Sequence, residues 1–358
     1  MDGAALLGVK LFGLVGAGLA FVVWQWRDVA RAQARSAQAC QAAAEAGAAP
    51  AAVASGPAAP TGLRGRVILV TGAGSGMGAA GVLALQRRGA IPVLLDCDAH
   101  TLAATAATLA GEVLTITADV TSAAACEDAV ARVLARHGRL DMVWANAGVA
   151  SFGPLAHTDP AAWRRCFEVN VFGVFNTVRA ALPELLRRRG YVLVSASVSS
   201  FAHPPAMSAY AGSKAAVEAM CNAWRIELAG HGVRVGVVHA SWVDTPLMSE
   251  GALHPAFRRL RATMPALLRR ETSAADAARV IADGVDRRAA RIWVPGWVRV
   301  LHWLRALLHT PLAERELRRA APEIEQHYLD GLAGSGALAS SFGPREFERA
   351  ERRRDAAR

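Results

Sequence analysis

The segment SAYAGSK, residues 208–214, places a phenol and an amine where they can act together. Tyr210 and Lys214 are spaced i and i+4, so both face the same side of a helix. An ammonium beside a phenol favours the phenolate, which predicts a pKa of Tyr210 lowered toward neutrality. A tyrosine tuned in this way acts as a general acid or base on an alcohol or a carbonyl. Ser197 lies thirteen residues earlier and is predicted to hydrogen-bond the same substrate oxygen.

The segment TGAGSGMG, residues 71–78, directly follows the apolar run RVILV. Glycines let the turn from a strand into a helix be tight, and they let a ligand approach the backbone. The free N–H groups and the positive dipole end of the helix then bind a pyrophosphate. The segment therefore predicts a dinucleotide site at a helix that opens near Gly76.

Asp96 ends the second apolar run, IPVLLD, and supports the same interpretation. A carboxylate at this point hydrogen-bonds the ribose hydroxyls of adenosine and repels the 2′-phosphate of NADP. Ser75, in the glycine turn, provides no cation for that phosphate. NAD is therefore favoured over NADP. Asp98 is the nearby alternative, and a solvated side chain is its simplest interpretation.

Short apolar runs alternate with segments of helical length between residues 63 and 295. Strands that alternate with helices predict βαβ units and a mainly parallel sheet. The expected fold is a Rossmann-type, doubly wound α/β domain with a seven-stranded sheet and helices on both faces. The seven strand candidates are RVILV, IPVLLD, VLTITAD, MVWANAG, YVLVSAS, VRVGVVHA and RIWVP.

These motifs, in this order, resemble those of the classical short-chain dehydrogenase/reductase family over residues 63–295. The Thr-Gly-x-x-x-Gly-x-Gly signature of that family matches Thr71, Gly72, Gly76 and Gly78. The resemblance implies four catalytic residues, Asn170, Ser197, Tyr210 and Lys214. It also implies a cofactor site built from Thr71, Gly72, Ser75, Gly76, Met77, Gly78, Asp96, Asp119, Val120, Asn146, Ala147, Gly148, Tyr210, Lys214, Val243 and Thr245.

The resemblance also implies roles for these residues. Lys214 is expected to bind the nicotinamide ribose, and Asn170 to hold a water that relays protons. Two departures from the family pattern stand out. Ala145 replaces the first asparagine of the Asn-Asn-Ala-Gly motif, and HASWVDTP has Ala240 and Ser241 where the family has Pro-Gly. The second departure lies beside the nicotinamide and bears on its pose.

The N-terminal residues 1–26 are almost uniformly apolar, with Trp24 and Trp26 near the end and arginines directly after them. About 20 apolar residues span a bilayer, and the basic flank stays cytoplasmic. We therefore expect a single membrane anchor, with the catalytic domain facing the cytoplasm. A cleaved signal peptide, or a docked helix on a cytoplasmic protein, is the alternative. Residues 27–62 are alanine-rich and predict a flexible linker.

The C-terminal part, residues 296–333, predicts an amphipathic helical extension. Its apolar side chains fall at helical spacing, with basic residues between them. Such a helix lies on a membrane surface or packs on protein, and the sequence does not separate the two. Residues 334–358 are small and charged and are expected to be disordered.

The formal net charge is +10, carried mostly by arginine. No zinc-finger spacing or RNA-binding aromatic signature accompanies it, so nucleic acid is not an expected partner. The five cysteines are odd in number and far apart, which predicts neither a disulfide framework nor a metal site.

The function predicted from these patterns is hydride transfer between NAD(P) and a secondary alcohol or ketone. The segments 198–210 and 245–270 are rich in apolar residues and predict a lipophilic substrate. The expected pocket lining is Phe201, Pro204, Pro205, Met207, Leu247, Met248, Leu253, Phe257, Leu260 and Met264. Two alternatives stay open: an NADPH-dependent carbonyl reductase, and a membrane-tethered dinucleotide-binding scaffold or sensor without turnover. By the family resemblance, a homodimer or homotetramer is also open.

Overall fold

The structure is a computed structural model that describes residues 62–335 and 341–342. Its central element is a parallel sheet. Within this part of the chain, seven strands form the sheet in the order β3-β2-β1-β4-β6-β7-β8, and a two-stranded antiparallel pair joins β5 to β9. The strands are β1 (Val67–Thr71), β2 (Ile91–Asp96), β3 (Thr115–Thr117), β4 (Met142–Ala145), β5 (Ala150–Ser151), β6 (Tyr191–Ser195), β7 (Arg234–Ala240), β8 (Arg291–Val294) and β9 (Ser341–Phe342). The predicted doubly wound, seven-stranded fold is confirmed.

Both faces of the sheet are covered, which explains the continuous apolar runs in its strands. In β1, Leu69 packs in the core on one face and Val70 in the core on the other. The helices are α1 (Gly76–Gln86), α2 (Ala99–Ala106), α3 (Ala123–His137), α4 (Pro160–Phe167), α5 (Gly173–Arg188), α6 (Ser208–Glu227), α7 (Pro246–Leu253), α8 (Pro255–Ala262), α9 (Ala274–Asp286), α10 (Val298–Trp303) and α11 (Pro311–Ser335). The chain reverses direction along the sheet between β1 and β4, which opens a crevice at the carboxyl ends of these strands.

The amphipathic helical extension predicted for residues 296–333 consists of several helical segments. The structure has α10, a 3₁₀ turn at Arg305–Leu307, and then α11, which begins at Pro311. Proline lacks an N–H and clashes with the preceding turn, so a helix begins at Pro311 rather than running through it. The helix α11 packs on α8, where Ile324 and Tyr328 are buried with Phe257. Within the segment predicted to be disordered, Ser341 and Phe342 form β9.

The predicted membrane-associated location is corrected by the structure. Across residues 62–335 and 341–342, no helix has both the length and the apolar character that crossing a bilayer requires. The two longest helices there, α6 and α11, carry charged side chains along their length. The predicted anchor, residues 1–26, and most of the linker, residues 27–62, lie outside the described residues.

Candidate active site

The glycine turn lies where β1 leads into α1. Gly72 and Gly76 have φ of 65° and 54°, a region that favours glycine. A Cβ on Gly78 would collide with the carbonyl oxygen of Gly72. In the described part of the chain no side chain caps the N terminus of α1. Its first N–H groups therefore remain for an anionic group in a cleft of about 850 Å³, which is lined by Gly72, Ser75, Gly76, Met77, Asp96, Asp119, Val120, Asn146, Ala147, Gly148 and Thr245.

Asp96 is held firmly at the end of β2. Its Oδ2 accepts a hydrogen bond from Gly74 N at 2.9 Å, and its Oδ1 accepts one from Asp98 N at 3.0 Å. The carboxylate therefore supports the glycine turn and also lines the cleft. Asp98 instead caps α2, where its side chain accepts from His100 N and Thr101 N.

A hydrogen-bond relay ties the glycine turn to β6. Thr71 Oγ1 accepts from Asn146 N at 3.0 Å, and Asn146 Nδ2 donates back to Thr71 O at 3.1 Å. Ser195 Oγ donates to Asn146 Oδ1 and accepts from Trp144 Nε1, both at 2.9 Å. The sequence motif identified Asn146 but gave no sign of Ser195 or Trp144, because neither belongs to a recognised pattern.

Asp119 and Arg165 form a polar wall of the cleft. Asp119 Oδ1 accepts from Thr121 Oγ1 at 2.8 Å, and Oδ2 accepts from Arg165 Nη2 at 3.2 Å. Burial raises the pKa of this carboxyl, but the bonds from Thr121 and the charge of Arg165 bring it below its ordinary value. No sequence pattern indicates Arg165, because its partner Asp119 lies 46 residues away along the chain.

Tyr210 and Lys214 lie on α6 beside the loop that follows β6. Lys214 Nζ donates to Ser195 O at 2.8 Å and lies 5.7 Å from the centroid of the Tyr210 ring. Ser197 Oγ donates to Ala240 O at 3.3 Å and accepts from Ser199 N at 3.1 Å. The structure therefore brings the predicted phenol, amine and hydroxyl to one place.

The expected lowering of the Tyr210 pKa is not found. Burial raises the pKa of Tyr210 to about 12, against a smaller lowering by its hydrogen bond with Ser197. Burial also lowers the pKa of Lys214 to about 8. Desolvation disfavours both charged forms, which raises the pKa of the phenol and lowers the pKa of the amine. At neutral pH the phenol therefore carries its proton.

Asn170 lies in the π-helical segment Glu168–Phe172 that joins α4 to α5, an irregularity often found at functional sites. Its Oδ1 accepts from Val149 N, and its Nδ2 donates to Val149 O, each at 2.9 Å. Nδ2 also donates to Ser213 Oγ at 2.9 Å. The amide is thus committed to the loop after β4 and to α6. A Cβ on Gly148 would lie only 3.2 Å from its Oδ1 and 3.4 Å from Lys214 Nζ.

The segment that replaces Pro-Gly after β7 keeps its place beside the cleft. Ser241 N donates to Val294 O at 2.7 Å. Val243 pairs with Thr272, and Thr245 Oγ1 donates to Val243 O at 3.1 Å. Thr245 reaches the glycine turn, where its methyl group lies against Gly76. The segment with Ala240 and Ser241 in place of Pro-Gly therefore still packs against the glycine turn.

A second cavity of about 1270 Å³ contains Ser197 and Tyr210. Its predicted apolar lining is present in part: Pro204, Met207, Leu247, Met248, Phe257 and Met264 line it. Phe201 and Leu260 are instead buried in the core, and Leu253 points to solvent. Unpredicted lining comes from the C-terminal extension: Trp297, Leu301, Leu308, His309, Ala313, Glu314 and Leu317.

The comparisons with known proteins agree with this architecture. The model of the short chain dehydrogenase family matches residues 66–254. A 3-oxoacyl-[acyl-carrier-protein] reductase of Thermotoga maritima is 32% identical over 205 residues, covering 55% of this chain and 83% of that protein. The 11-beta-hydroxysteroid dehydrogenase A of Sesamum indicum is 30% identical over 251 residues, covering 67% and 71%. The crystal structure of a short chain dehydrogenase/reductase from Burkholderia phymatum in complex with NAD has a TM-score of 0.61 and 27% identity, covering 70% of this chain and 97% of that one.

The fold and the match over more than half of the chain define the class of protein. The chain is an oxidoreductase of the kind that acts on CH–OH groups. It belongs to the short chain dehydrogenase family.

Proposed function

We propose that this protein interconverts a lipophilic secondary alcohol and its ketone, with NAD as cofactor and Tyr210 as general acid and base. The observation that carries the proposal is that two cavities lie next to each other. The cleft of the glycine turn and the cavity that contains Tyr210 and Ser197 share Leu247 in their walls. We propose that a cofactor in the first lies beside a substrate in the second.

The first cleft suits a dinucleotide. The uncapped amides of α1 match a pyrophosphate, and the glycines leave room for close approach. Asp96 offers carboxylate oxygens to ribose hydroxyls and repels a 2′-phosphate, which favours NAD over NADP. NAD, when bound, supplies the hydride chemistry, while Thr71, Asn146 and Thr245 shape the site around it.

The proton chemistry falls to residues of this chain. With its pKa raised, Tyr210 holds a proton at neutral pH and donates it to a carbonyl oxygen in the direction of reduction. In the direction of oxidation the phenolate takes the alcohol proton. Ser197 orients the substrate oxygen. Lys214, fixed by Ser195 O, places a positive charge beside the phenol.

The character of the second cavity supports a lipophilic substrate. Met207, Met248, Phe257 and Leu301 are among its walls, so apolar side chains surround a bound substrate. One relative is a hydroxysteroid dehydrogenase, which is in keeping with such a substrate. The raised pKa of Tyr210 keeps a proton on the phenol, which suits the same reaction in the direction of carbonyl reduction.

A homo-oligomer is part of the same proposal. Trp163, Phe172 and Phe175, on the α4–α5 segment, are partly exposed apolar side chains. A patch of this kind suits a self-association surface. Sedimentation of the purified protein measures this directly, and a monomer at all concentrations would contradict it.

The test is turnover by the purified full-length chain with NAD or NADP and 2-butanol, 2-dodecanol or a hydroxysteroid. We expect Tyr210→Phe to lower kcat at least about 100-fold, the usual contribution of general acid–base catalysis, while the Kd for NADH is kept. Tyr328→Phe removes the same atom outside the two cavities and is the matched control. Equal turnover by wild type and Tyr210→Phe would exclude the proposed role of this tyrosine.

A further inference from the structure

Glu218 lies on α6 one helical turn beyond Lys214, yet it lines neither cavity. Its side chain is almost fully buried. Oε2 accepts a hydrogen bond from Ser200 Oγ at 2.5 Å, and Oε1 lies 3.3 Å from His302 Nε2. Nδ1 of the buried His239 lies 3.9 Å from Oε2. One carboxylate therefore joins α6, the turn after Ser197, strand β7 and the C-terminal extension.

The protonation states make the contact with His302 a hydrogen bond to an ionised carboxylate. Burial raises the pKa of Glu218, but the bond from Ser200 and the two histidines bring it below its ordinary value. Burial lowers the pKa of His302, against the opposing effect of Glu218. His302 is thus neutral at neutral pH; the tautomer with its proton on Nε2 donates to Glu218, and the other tautomer accepts from Arg305 Nη1, which lies 3.1 Å from Nε2. Bonds to charged groups are stronger than those between neutral groups.

Further contacts hold the extension in the same position. The ring of Phe201 meets that of His302 edge-on, with centroids 5.1 Å apart. Arg305 Nη1 lies 3.7 Å from Glu218 Oε1. His309 Nε2 lies 3.2 Å from Phe201 O. The extension is therefore anchored on both sides of Leu308, which lines the substrate cavity.

We propose that His302 and Glu218 form a specificity-determining clamp, which holds the C-terminal extension as the outer wall of the substrate cavity. Leu301, next to His302 on α10, and Leu308 and Leu317 beyond it supply the apolar surface of this wall. The extension lies outside the residues that match the family model. The clamp thus selects for substrates long enough to reach this wall, and the inference rests on the proposed oxidoreductase site.

The kinetic test compares 2-butanol with 2-dodecanol in the full-length protein. Each buried methylene favours binding by up to about fourfold. We therefore expect His302→Leu, which cannot donate to Glu218, to lower the ratio of kcat/KM for 2-dodecanol to that for 2-butanol about tenfold. His302→Gln keeps a donor and should restore most of the ratio. Arg299→Ala, on the exposed side of the same helix, is the matched control. An unchanged ratio in His302→Leu would overturn the clamp.

A binding measurement separates failure of the clamp from failure of the proposed reaction. Trp242 and Trp297 line the cavity, so quenching of tryptophan fluorescence reports binding of 2-dodecanol without turnover. The clamp requires a weaker Kd in His302→Leu than in Arg299→Ala, with the Kd for NADH equal in both. Equal 2-dodecanol affinities would refute it. Weaker binding in His302→Leu, with no turnover of the tested alcohols by the wild type, would support the clamp and reject the proposed reaction on lipophilic secondary alcohols.

Discussion

At the scale of single residues, burial dominates the chemistry of this site. Tyr210 and Lys214 have the spacing at which opposite charges assist each other, yet the cavity withholds water from both. The pKa of the phenol is raised to about 12 and that of the amine is lowered to about 8. At neutral pH the pair is a neutral phenol beside an ammonium. Tyr210 can therefore donate a proton directly, but it must first lose that proton to act as a base.

The raised pKa of Tyr210 predicts how the two directions depend on pH. Alcohol oxidation needs the phenolate. As long as the pH is below the pKa, the phenolate population grows about tenfold for each unit by which the pH rises. We expect kcat/KM for oxidation to rise between pH 6 and 7, where Lys214, with a pKa of about 8, keeps most of its charge. Ketone reduction uses the protonated form and should not rise. Initial rates in both directions test this, and a flat oxidation profile would contradict the assignment.

Asp96 and Asp98 offer a matched pair for cofactor choice. Asp96→Asn removes the charge that repels a 2′-phosphate and weakens the acceptors for ribose hydroxyls. We expect the preference for NADH over NADPH, measured as the ratio of Kd values, to fall about tenfold, the size of one lost charge-assisted hydrogen bond. Asp98→Asn retains a good helix cap and should leave the ratio unchanged. An unaltered ratio in Asp96→Asn would remove the charge argument for NAD.

At the scale of elements, the site depends on where strands end and helices begin. The turn between β1 and α1 is closed by Gly78 against Gly72, and Asn146 holds it from the next strand in the sheet. The relay from Trp144 through Ser195 to Asn146 links this turn to the strand that precedes Ser197. The cofactor turn and the catalytic loop are therefore parts of one hydrogen-bonded unit.

Gly78→Ala tests the tightness of this turn. The added methyl group would collide with the carbonyl oxygen of Gly72 and crowd the amide of Asn146, so the turn must open. We expect the Kd for NADH, measured by fluorescence titration, to rise at least about tenfold, with stability lowered by 1–3 kcal/mol, roughly the cost of overpacking. Gly230→Ala meets open space and is the control. Tight NADH binding by Gly78→Ala would show that the turn does not need this glycine.

At the scale of the whole molecule, a buried cluster of ion pairs and hydrogen bonds lies at the opposite ends of the strands from the cofactor cleft. Asp141 precedes β4 at the edge away from the cofactor cleft. It accepts from Val67 N at 2.9 Å, from Arg66 Nη1 at 3.0 Å and from Arg139 Nε at 2.8 Å. Burial raises the pKa of Asp141, but the bonds from Arg139, Val67 and Arg66 bring it below its ordinary value.

Asp141→Asn should therefore lower stability without changing the site. Breaking a buried ion pair costs about 3 kcal/mol at neutral pH. Because the folded-state pKa is lowered, this stabilisation is present above the unfolded value near 3.8 and is lost as the pH falls through the folded value. The difference in free energy of unfolding between wild type and variant should shrink in acid, as urea titrations at several pH values will show. Asp276→Asn, at an exposed helix end, is the control. A difference independent of pH would contradict the ion-pair account.

The buried His239 also makes the protein less stable in acid, but through burial of a neutral ring and not through a lost ion pair. Burial lowers the pKa of His239 to about 4, so between pH 6.5 and 4 the unfolded chain binds a proton that the folded chain refuses. We expect the free energy of unfolding to decrease as the pH is lowered from 6.5 to 4. His239→Gln should reduce this dependence of stability on pH. Thermal melts at half-unit pH steps measure it. The same slope in wild type and variant would assign the acid sensitivity to other groups.

The sequence by itself determined the sheet and the motifs along its carboxyl edge. Buried parallel strands are continuous apolar runs, and the glycine turn and the Tyr210–Lys214 spacing are local patterns that a single segment carries. The pKa of Tyr210, the Trp144–Ser195 relay, the Asp119–Arg165 pair and the Glu218–His302 contact were decided only by the tertiary structure. In each of these the partners lie on different elements, or the burial comes from several of them. The desolvation of a charge and the closing of a cavity depend on what the rest of the chain places around a residue, and no local pattern records this.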